Sequence, residues 1–243
     1  MNAQTELRPE LKPPAWRYAL MEMRAIAELG AFAAAWPLLG HLPTGDGHPV
    51  LVIPGFSAND INTWPLRNTL SRLGYKVYGW GLGRNWGINK QSKAQLAELL
   101  ERIHAESGRK LSLIGWSLGG VYVREMARKR PDLVRSVITL GSPINGHPHA
   151  NNVVRLSKMI NFGRRPRRNE TDLDGFKRRI EPPPVPCTAL HTRSDGLVCW
   201  HCTLEPETDR TRNVRIHGSH IGLICNPLAL KAVAEALAAA PKD

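Results

Sequence analysis

The chain is short of cysteine, of long apolar runs and of acid. Its 243 residues include four cysteines, Cys187, Cys199, Cys202 and Cys225, all in the last quarter. So few and so clustered, they are not the framework of a disulfide scaffold, and whether any of them pair stays open. The most apolar stretch, 25–39, is interrupted by Glu28 and broken by Pro37, well short of the roughly 20 apolar residues that span a bilayer. It is also a poor secretory signal, because Glu22 and Glu28 sit among Arg17 and Arg24 and the segment starts late. A helix packed on the domain is the preferred reading, and a helix lying on a membrane surface the alternative. The expected location is therefore cytoplasmic or peripheral to a membrane. No period of 20 to 50 residues repeats, which excludes a solenoid.

Acid is outnumbered: 21 Asp and Glu face 33 Lys and Arg, for a net charge of +12. A surplus of that size invites a nucleic-acid or anionic-membrane reading, so its placement matters. Residues 49–144 hold fourteen basic and six acidic residues and 145–184 hold nine and four, while both ends are near balance. The densest run, Arg164, Arg165, Arg167 and Arg168, comes with no recognition-helix, RNA-binding or zinc-finger pattern, so nucleic acid is not an expected partner. An anionic lipid surface is the better match. The C-x-x-C at Cys199 to Cys202 lacks both the second pair of a zinc site and the βαβ setting of a redox motif. No metal or cofactor is implied.

What is present is alternation. With 42% hydrophobic and 22% charged residues, the chain can bury one substantial core, and a single domain is expected over 1–243. From residue 48 onward, strand-like runs at 49–53, 75–80, 110–116, 135–140, 187–192 and 213–218 are separated by helical patterns at 63–73, 92–105, 118–130 and 227–239. That order predicts a mostly parallel sheet flanked by helices, preceded by a helical segment in 1–47. The stretch 145–186, with nine basic residues and three consecutive prolines, breaks the alternation. It reads as a lid-like insertion over one end of the sheet.

Chemistry concentrates at three places. Gly115-Trp116-Ser117-Leu118-Gly119 is a G-x-S-x-G directly after a strand and before a helix, the context in which a strained turn lifts a serine hydroxyl clear of the sheet. A serine hydroxyl needs a base, and the base needs an orienting acid. Asp195, in a Ser-Asp-Gly that follows a strand, is the candidate acid, with Glu205, Glu207 and Asp209 in reserve. His220, in Gly-Ser-His-Ile-Gly after the last strand, is the candidate base, with His217 its nearest rival. His41 and His48 precede the core, His147 and His149 lie in the insertion, and His191 is inside a strand. Two backbone amides are expected to receive an oxyanion: Leu118, immediately after the serine, and Phe56, in the Pro-Gly-Phe that ends the first strand.

GHPVLVIPGF, GYKVYGWGLGRN, LSLIGWSLGG, VITLGSP, SDGLV and GSHIGL, in this order and spacing from about residue 47 to 227, resemble an α/β-hydrolase of the bacterial lipase and esterase type. The resemblance implies the α/β-hydrolase fold, with Ser117 as nucleophile, Asp195 as acid, His220 as base, and Phe56 and Leu118 as oxyanion donors. The expected activity is cleavage of a small-molecule carboxylic ester through an acyl-enzyme. Trp116, Ile144 and Ile221 are candidates to line a pocket for an apolar acyl chain. Acyl transfer and thioester cleavage would use the same residues, and a basic binding module with a relic triad is the non-enzyme alternative. Acyl-chain length and oligomeric state are left open.

Overall fold

The computed structural model describes residues 12–87, 89–145 and 180–241. The Arg164 to Arg168 run, His147, His149 and most of the expected insertion, residues 146–179, lie outside the described residues. Six strands, β1 (Pro49–Ile53), β2 (Lys76–Gly79), β3 (Leu111–Trp116), β4 (Val134–Leu140), β5 (Cys187–His191) and β6 (Thr211–Arg215), form one sheet in the order β2-β1-β3-β4-β5-β6, and every neighbouring pair is parallel. The helices are α1 (Trp16–Met21), α2 (Ala25–Leu39), α3 (Trp64–Arg72), α4 (Lys90–Ser107), α5 (Leu118–Lys129) and α6 (Pro227–Ala239). None of the described helices is long and apolar enough to cross a membrane.

Parallel strands covered on both sides need apolar residues on both sides, which is why PVLVI reads as an unbroken run. Val50 and Val52 face Phe32 of α2 and Leu230, Val233 and Leu237 of α6. Leu51 and Ile53 turn the other way, toward Leu96, Leu100 and Ile103 of α4 and Val123 of α5. The strand order reverses between β1 and β3, which diverge to opposite sides and leave a crevice at their carboxyl ends. The G-x-S-x-G stands at that point.

Most expected elements lie within two residues of their observed bounds, and three differences have physical causes. α4 begins at Lys90 because the Asn89 carboxamide accepts the Ser92 amide at 2.9 Å and the Ser92 hydroxyl accepts the Asn89 amide at 2.9 Å, a reciprocal cap that starts a helix before its apolar period. α2 runs through Pro37 to Leu39, since a proline so near the end forfeits one hydrogen bond without stopping the last turn. β6 ends at Arg215 and not at residue 218. The Ile216 amide still donates to the His191 carbonyl at 2.8 Å, and the chain then leaves the sheet edge to carry His220 inward.

Under α5, Arg124 and Glu205 form an ion pair of 2.7 Å, with both side chains at 2% exposure or less. The same guanidinium donates to the Ile180 and Glu181 carbonyls at 3.3 and 3.2 Å, so it ties the segment entering β5 to the loop before β6. Burial pushes the Glu205 carboxyl up, against the pull of Arg124. Arg124→Met strands that carboxylate, and we expect a loss of about 3–5 kcal/mol in urea unfolding. A change below about 1 kcal/mol would show that the pair holds nothing.

Candidate active site

Ser117 occupies the turn between β3 and α5 at φ 53°, ψ −120°, a region that a non-glycine residue enters only when its surroundings force it. The surroundings here are glycines. A Cβ at Gly115 would strike the backbone of Gly119 and Gly120, one at Gly119 would strike the Ile53 carbonyl, and one at Gly120 would strike the Ser142 hydroxyl. Helix α5 therefore sits directly on β1, β3 and the end of β4, and the only exit from β3 is the tight turn. The Ser117 amide donates to the Leu140 carbonyl at 2.8 Å, which fixes the turn to the neighbouring strand.

The loop after β1 closes the other side of the crevice. A Cβ on Gly55 would lie 3.0 Å from Cβ of Ser117 and 3.3 Å from the Trp116 carbonyl, so the Pro54–Phe56 backbone touches the serine. Neither the Phe56 nor the Leu118 amide has an acceptor among the described residues, so both N–H groups stay available. The loop is held by Asn85, fully buried, whose side chain donates to the Pro54 carbonyl at 2.8 Å and whose backbone bonds Ala58 and Ser57. Asn85 ends the segment GYKVYGWGLGRN that carries part of the family resemblance, but nothing in that segment marks its side chain as a clamp on the loop after β1.

Asp195 and His220 meet at the same edge. Oδ2 of Asp195 lies 2.6 Å from Nδ1 of His220, both side chains 1% exposed. Oδ1 of the same carboxylate accepts the Leu197 and Val198 amides at 2.9 and 2.7 Å, which fixes the side chain in a turn. The His220 ring lies against Gly141, where a Cβ would approach Nδ1 to 2.9 Å, and Gly141 follows the Leu140 that receives the Ser117 amide. Burial disfavours the charged imidazole, but the charge and hydrogen bond of Asp195, with the charge of Glu22, outweigh it and raise the His220 pKa above its ordinary value.

The remaining expectations divide. His217 is exposed in the loop beyond β6, with its carbonyl taken by Asn226, and Glu205 is committed to Arg124. Trp116 packs in the core, and its indole donates to the His220 carbonyl at 3.2 Å, so it holds the base loop. Ile144 is buried, its amide bonded to the Cys202 carbonyl at 2.9 Å, while Ile221 is 41% exposed. All four cysteines are buried free thiols.

A second serine, histidine and aspartate also meet. Nε2 of His48 is 2.9 Å from Oγ of Ser112, Nδ1 of His48 bonds Asp46, and Ser112 bonds Ser136 at 2.9 Å. His48 and Ser112 are fully buried at the amino ends of β1 and β3. Burial lowers the His48 pKa, and Arg135 and Arg109 hold Asp46 at 2.7 and 3.0 Å. Ser112 lies within β3, beside a register shift against β4 between Leu111 and Ser112. This is a structural network tying β1, β3 and β4 together.

A family model described as alpha/beta hydrolase fold matches residues 48–177, just over half of the chain. A triacylglycerol lipase of Burkholderia plantarii is 30% identical over 153 residues, 59% of this chain and 43% of the relative. A triacylglycerol lipase of Pseudarthrobacter phenanthrenivorans is 32% identical over 120 residues, 46% of this chain and 38% of the relative. The chain thus spans less than half the length of these curated relatives. Among solved structures, a monoacylglycerol lipase of Paleococcus ferrophilus aligns with a TM-score of 0.55 at 14% identity, over 80% of this chain and 97% of that one. Lipase B of Aspergillus fumigatus aligns with a TM-score of 0.60 at 17% identity, over 82% and 55%. At such identities the likeness is one of fold.

The raised His220 pKa is open to a direct check. The imidazole should titrate above the ordinary value of about 6.5 in an NMR pH series, and Asp195→Asn should move it down. A His220 that titrates below that value in the unsubstituted protein would contradict the pairing.

Proposed function

The chain belongs to the α/β-hydrolase fold family, and from that premise we propose that it hydrolyses carboxylic esters with an apolar acyl group through an acyl-enzyme on Ser117. The observation that carries this reading is the enclosed Asp195–His220 pair, 2.6 Å apart, at the same sheet edge as the strained Ser117. With Nδ1 of His220 bonded to Asp195, Nε2 faces the reaction. It takes the Ser117 proton as the hydroxyl oxygen attacks the ester carbonyl. The Phe56 and Leu118 amides receive the negative charge that develops on the carbonyl oxygen. His220 then returns the proton to the departing alcohol, and water repeats the sequence to free the acid. Asp195 keeps the imidazole in the tautomer that can accept at Nε2 and stabilises the imidazolium. The basic stretch 145–186 is proposed as a cover over this edge of a single domain.

The first two helices support a lipid surface as the place where such esters are met. Outward-facing residues of α2 are Ile26, Ala27, Leu29, Gly30, Ala31, Ala33, Ala34, Pro37 and Leu38, with not one polar side chain among them. Trp16, Leu20 and Met23 extend the face with exposures of 76, 62 and 68%. Aromatic and aliphatic groups on an exposed helical face, on a chain with net charge +12, fit a bilayer interface carrying anionic headgroups.

Two outcomes are expected. Ser117→Ala should lower hydrolysis of p-nitrophenyl esters by roughly 10³-fold or more and abolish labelling by a fluorophosphonate, and Asp195→Asn should cost roughly 10⁴-fold in kcat. Undiminished hydrolysis by Ser117→Ala would sink the mechanism. Separately, the double substitution Ile26→Ser and Leu29→Ser should weaken flotation with phosphatidylcholine vesicles containing phosphatidylglycerol by roughly tenfold or more, about 1.4 kcal/mol. Equal flotation of the two proteins would remove the lipid reading.

A further inference from the structure

Helix α2 is built inside out. A helix lying on a globular protein normally turns its apolar stripe inward and its charges to water. Here the outer face of α2 is apolar, Arg17 of α1 is the exposed charge, and the other three charged residues of 16–40, Glu22, Arg24 and Glu28, turn inward or lie part-buried. Each of the three bonds one or both of the two loops that carry Asp195 and His220.

Glu22, in the short 3-10 turn between α1 and α2, is 6% exposed. Its Oε1 accepts the Gly196 amide at 2.8 Å and the His220 amide at 3.1 Å, and its Oε2 accepts the Ile221 amide at 2.9 Å. One carboxylate thus spans the residue after the acid, the base itself and the residue after the base. Arg24 donates to the Ser194 hydroxyl at 3.1 Å and to the Gly218 carbonyl at 3.3 Å, again joining the two loops. Glu28 accepts the Ser219 amide at 2.8 Å and also bonds the Ser219 hydroxyl. The loops are shaped to receive this element. A Cβ on Gly196 would strike the Tyr18 carbonyl, and one on Gly222 would strike the Glu28 carboxylate.

We propose that Glu22 is a positioning residue for hydrolysis, a carboxylate that fixes the acid loop and the base loop relative to each other. The proposal rests on the assignment of Ser117, Asp195 and His220 above. It places a requirement for catalysis in a segment ahead of the first strand, about 170 residues before the acid. Without the bridge, the loops of Asp195 and His220 are joined by that pair's own hydrogen bond, by Arg24, and by the Thr192 and Ser194 hydroxyls, which donate to the Gly218 carbonyl at 2.6 and 3.0 Å, but the backbone amides of Gly196, His220 and Ile221 have no common partner. With it, their backbones share one rigid acceptor. The charged groups that face the imidazole are Asp195, from the loop after β5, and Glu22, from the N-terminal element. Both favour the imidazolium formed when the serine proton is taken.

Glu22→Gln is the deciding variant, because it keeps the size and one acceptor oxygen but turns an amide donor toward backbone N–H groups that need an acceptor. The expected result is a fall in kcat of about 10- to 100-fold on p-nitrophenyl esters, with KM within about twofold and the acid limb of the kcat/KM profile moved to lower pH as the imidazole loses a facing charge. Unchanged kcat with an unmoved limb overturns the proposal. So does a fall in kcat with the limb unmoved, which a merely structural role would give. Should Glu22→Gln fail to fold, two measurements still decide. Amide hydrogen exchange in the unsubstituted protein must show Gly196, His220 and Ile221 protected, and fast exchange overturns the bridge. Glu22→Asp, which shortens the reach by one methylene, must lower kcat, and an unchanged kcat overturns it. Ser117→Ala run beside these separates the layers. If it keeps hydrolysis, the triad assignment fails, while exchange protection reports on the bridge independently.

Discussion

The close approach of α5 to the sheet is the constraint from which the rest of the site follows. Helix α5 rests on β1 and β3 with glycine backbones in contact, and no side chain larger than hydrogen fits at 115, 119 or 120. That contact leaves Ser117 one way out of the strand, at φ 53°. It also brings the first amide of α5 and the loop after β1 to the same point, because β1 and β3 are neighbours where the strand order reverses. Strain at one residue is held by packing over many, so the hydroxyl is aimed by the scaffold. A methyl group at any of the three positions would lift the helix and release the turn.

The proposed acid and base, Asp195 and His220, have no comparable scaffold. Both stand on loops beyond strand ends, at the side of the sheet where β6 has already left the ladder at Arg215. What locates them is polar bonding: the Leu197 and Val198 amides to Asp195, the Trp116 indole to the His220 carbonyl, and the carboxylates of Glu22 and Glu28 from the N-terminal element. The site thus joins a serine fixed by close packing to a pair fixed by hydrogen bonds. Hydrogen bonds to charged groups are worth more than neutral ones and stay strong where water is excluded. Enclosed loops can therefore be held nearly as firmly as a strand.

How much of this could be read from the sequence depends on whether the signal is local. The strands and the helices after β1 were legible because burial on two faces writes continuous apolar runs, and helical packing writes a 3.6-residue period. Ser117, Asp195 and His220 were legible as candidates because each sits in a short motif with glycines at positions the backbone requires. Glu22 and Glu28 were not. In sequence they only spoil an apolar stretch, and their partners lie 174 and 191 residues away. Gly196, Gly218 and Gly222 were the only trace, since glycines beyond those needed for a turn mark places where another element approaches. Asn85 ends the segment GYKVYGWGLGRN, yet its role was not legible there, because an asparagine in a Gly-rich loop is ordinary until its side chain is found to be fully buried.

The network at the opposite end of the sheet sharpens what defines the site. Asp46, His48 and Ser112 provide the same three residue types, linked through the same imidazole nitrogens as a triad would be. Residue types alone would not separate the two sets. Backbone setting does. Ser112 lies within a strand and shares its hydroxyl with Ser136, and Asp46 is paired with Arg135 and Arg109. Its histidine is fully enclosed and pushed toward the neutral form by burial, where it serves as a hydrogen-bond spacer between strands. Ser117 stands instead at the amino end of a helix, beside two amides that have no acceptor among the described residues, while His220 is pushed the other way by the carboxylates that face it. Three residue types become a reaction centre only where the fold supplies strain at the nucleophile, donors at the oxyanion and facing charge at the base. In an open parallel sheet those conditions coincide at the carboxyl ends of the strands, beside the reversal in their order.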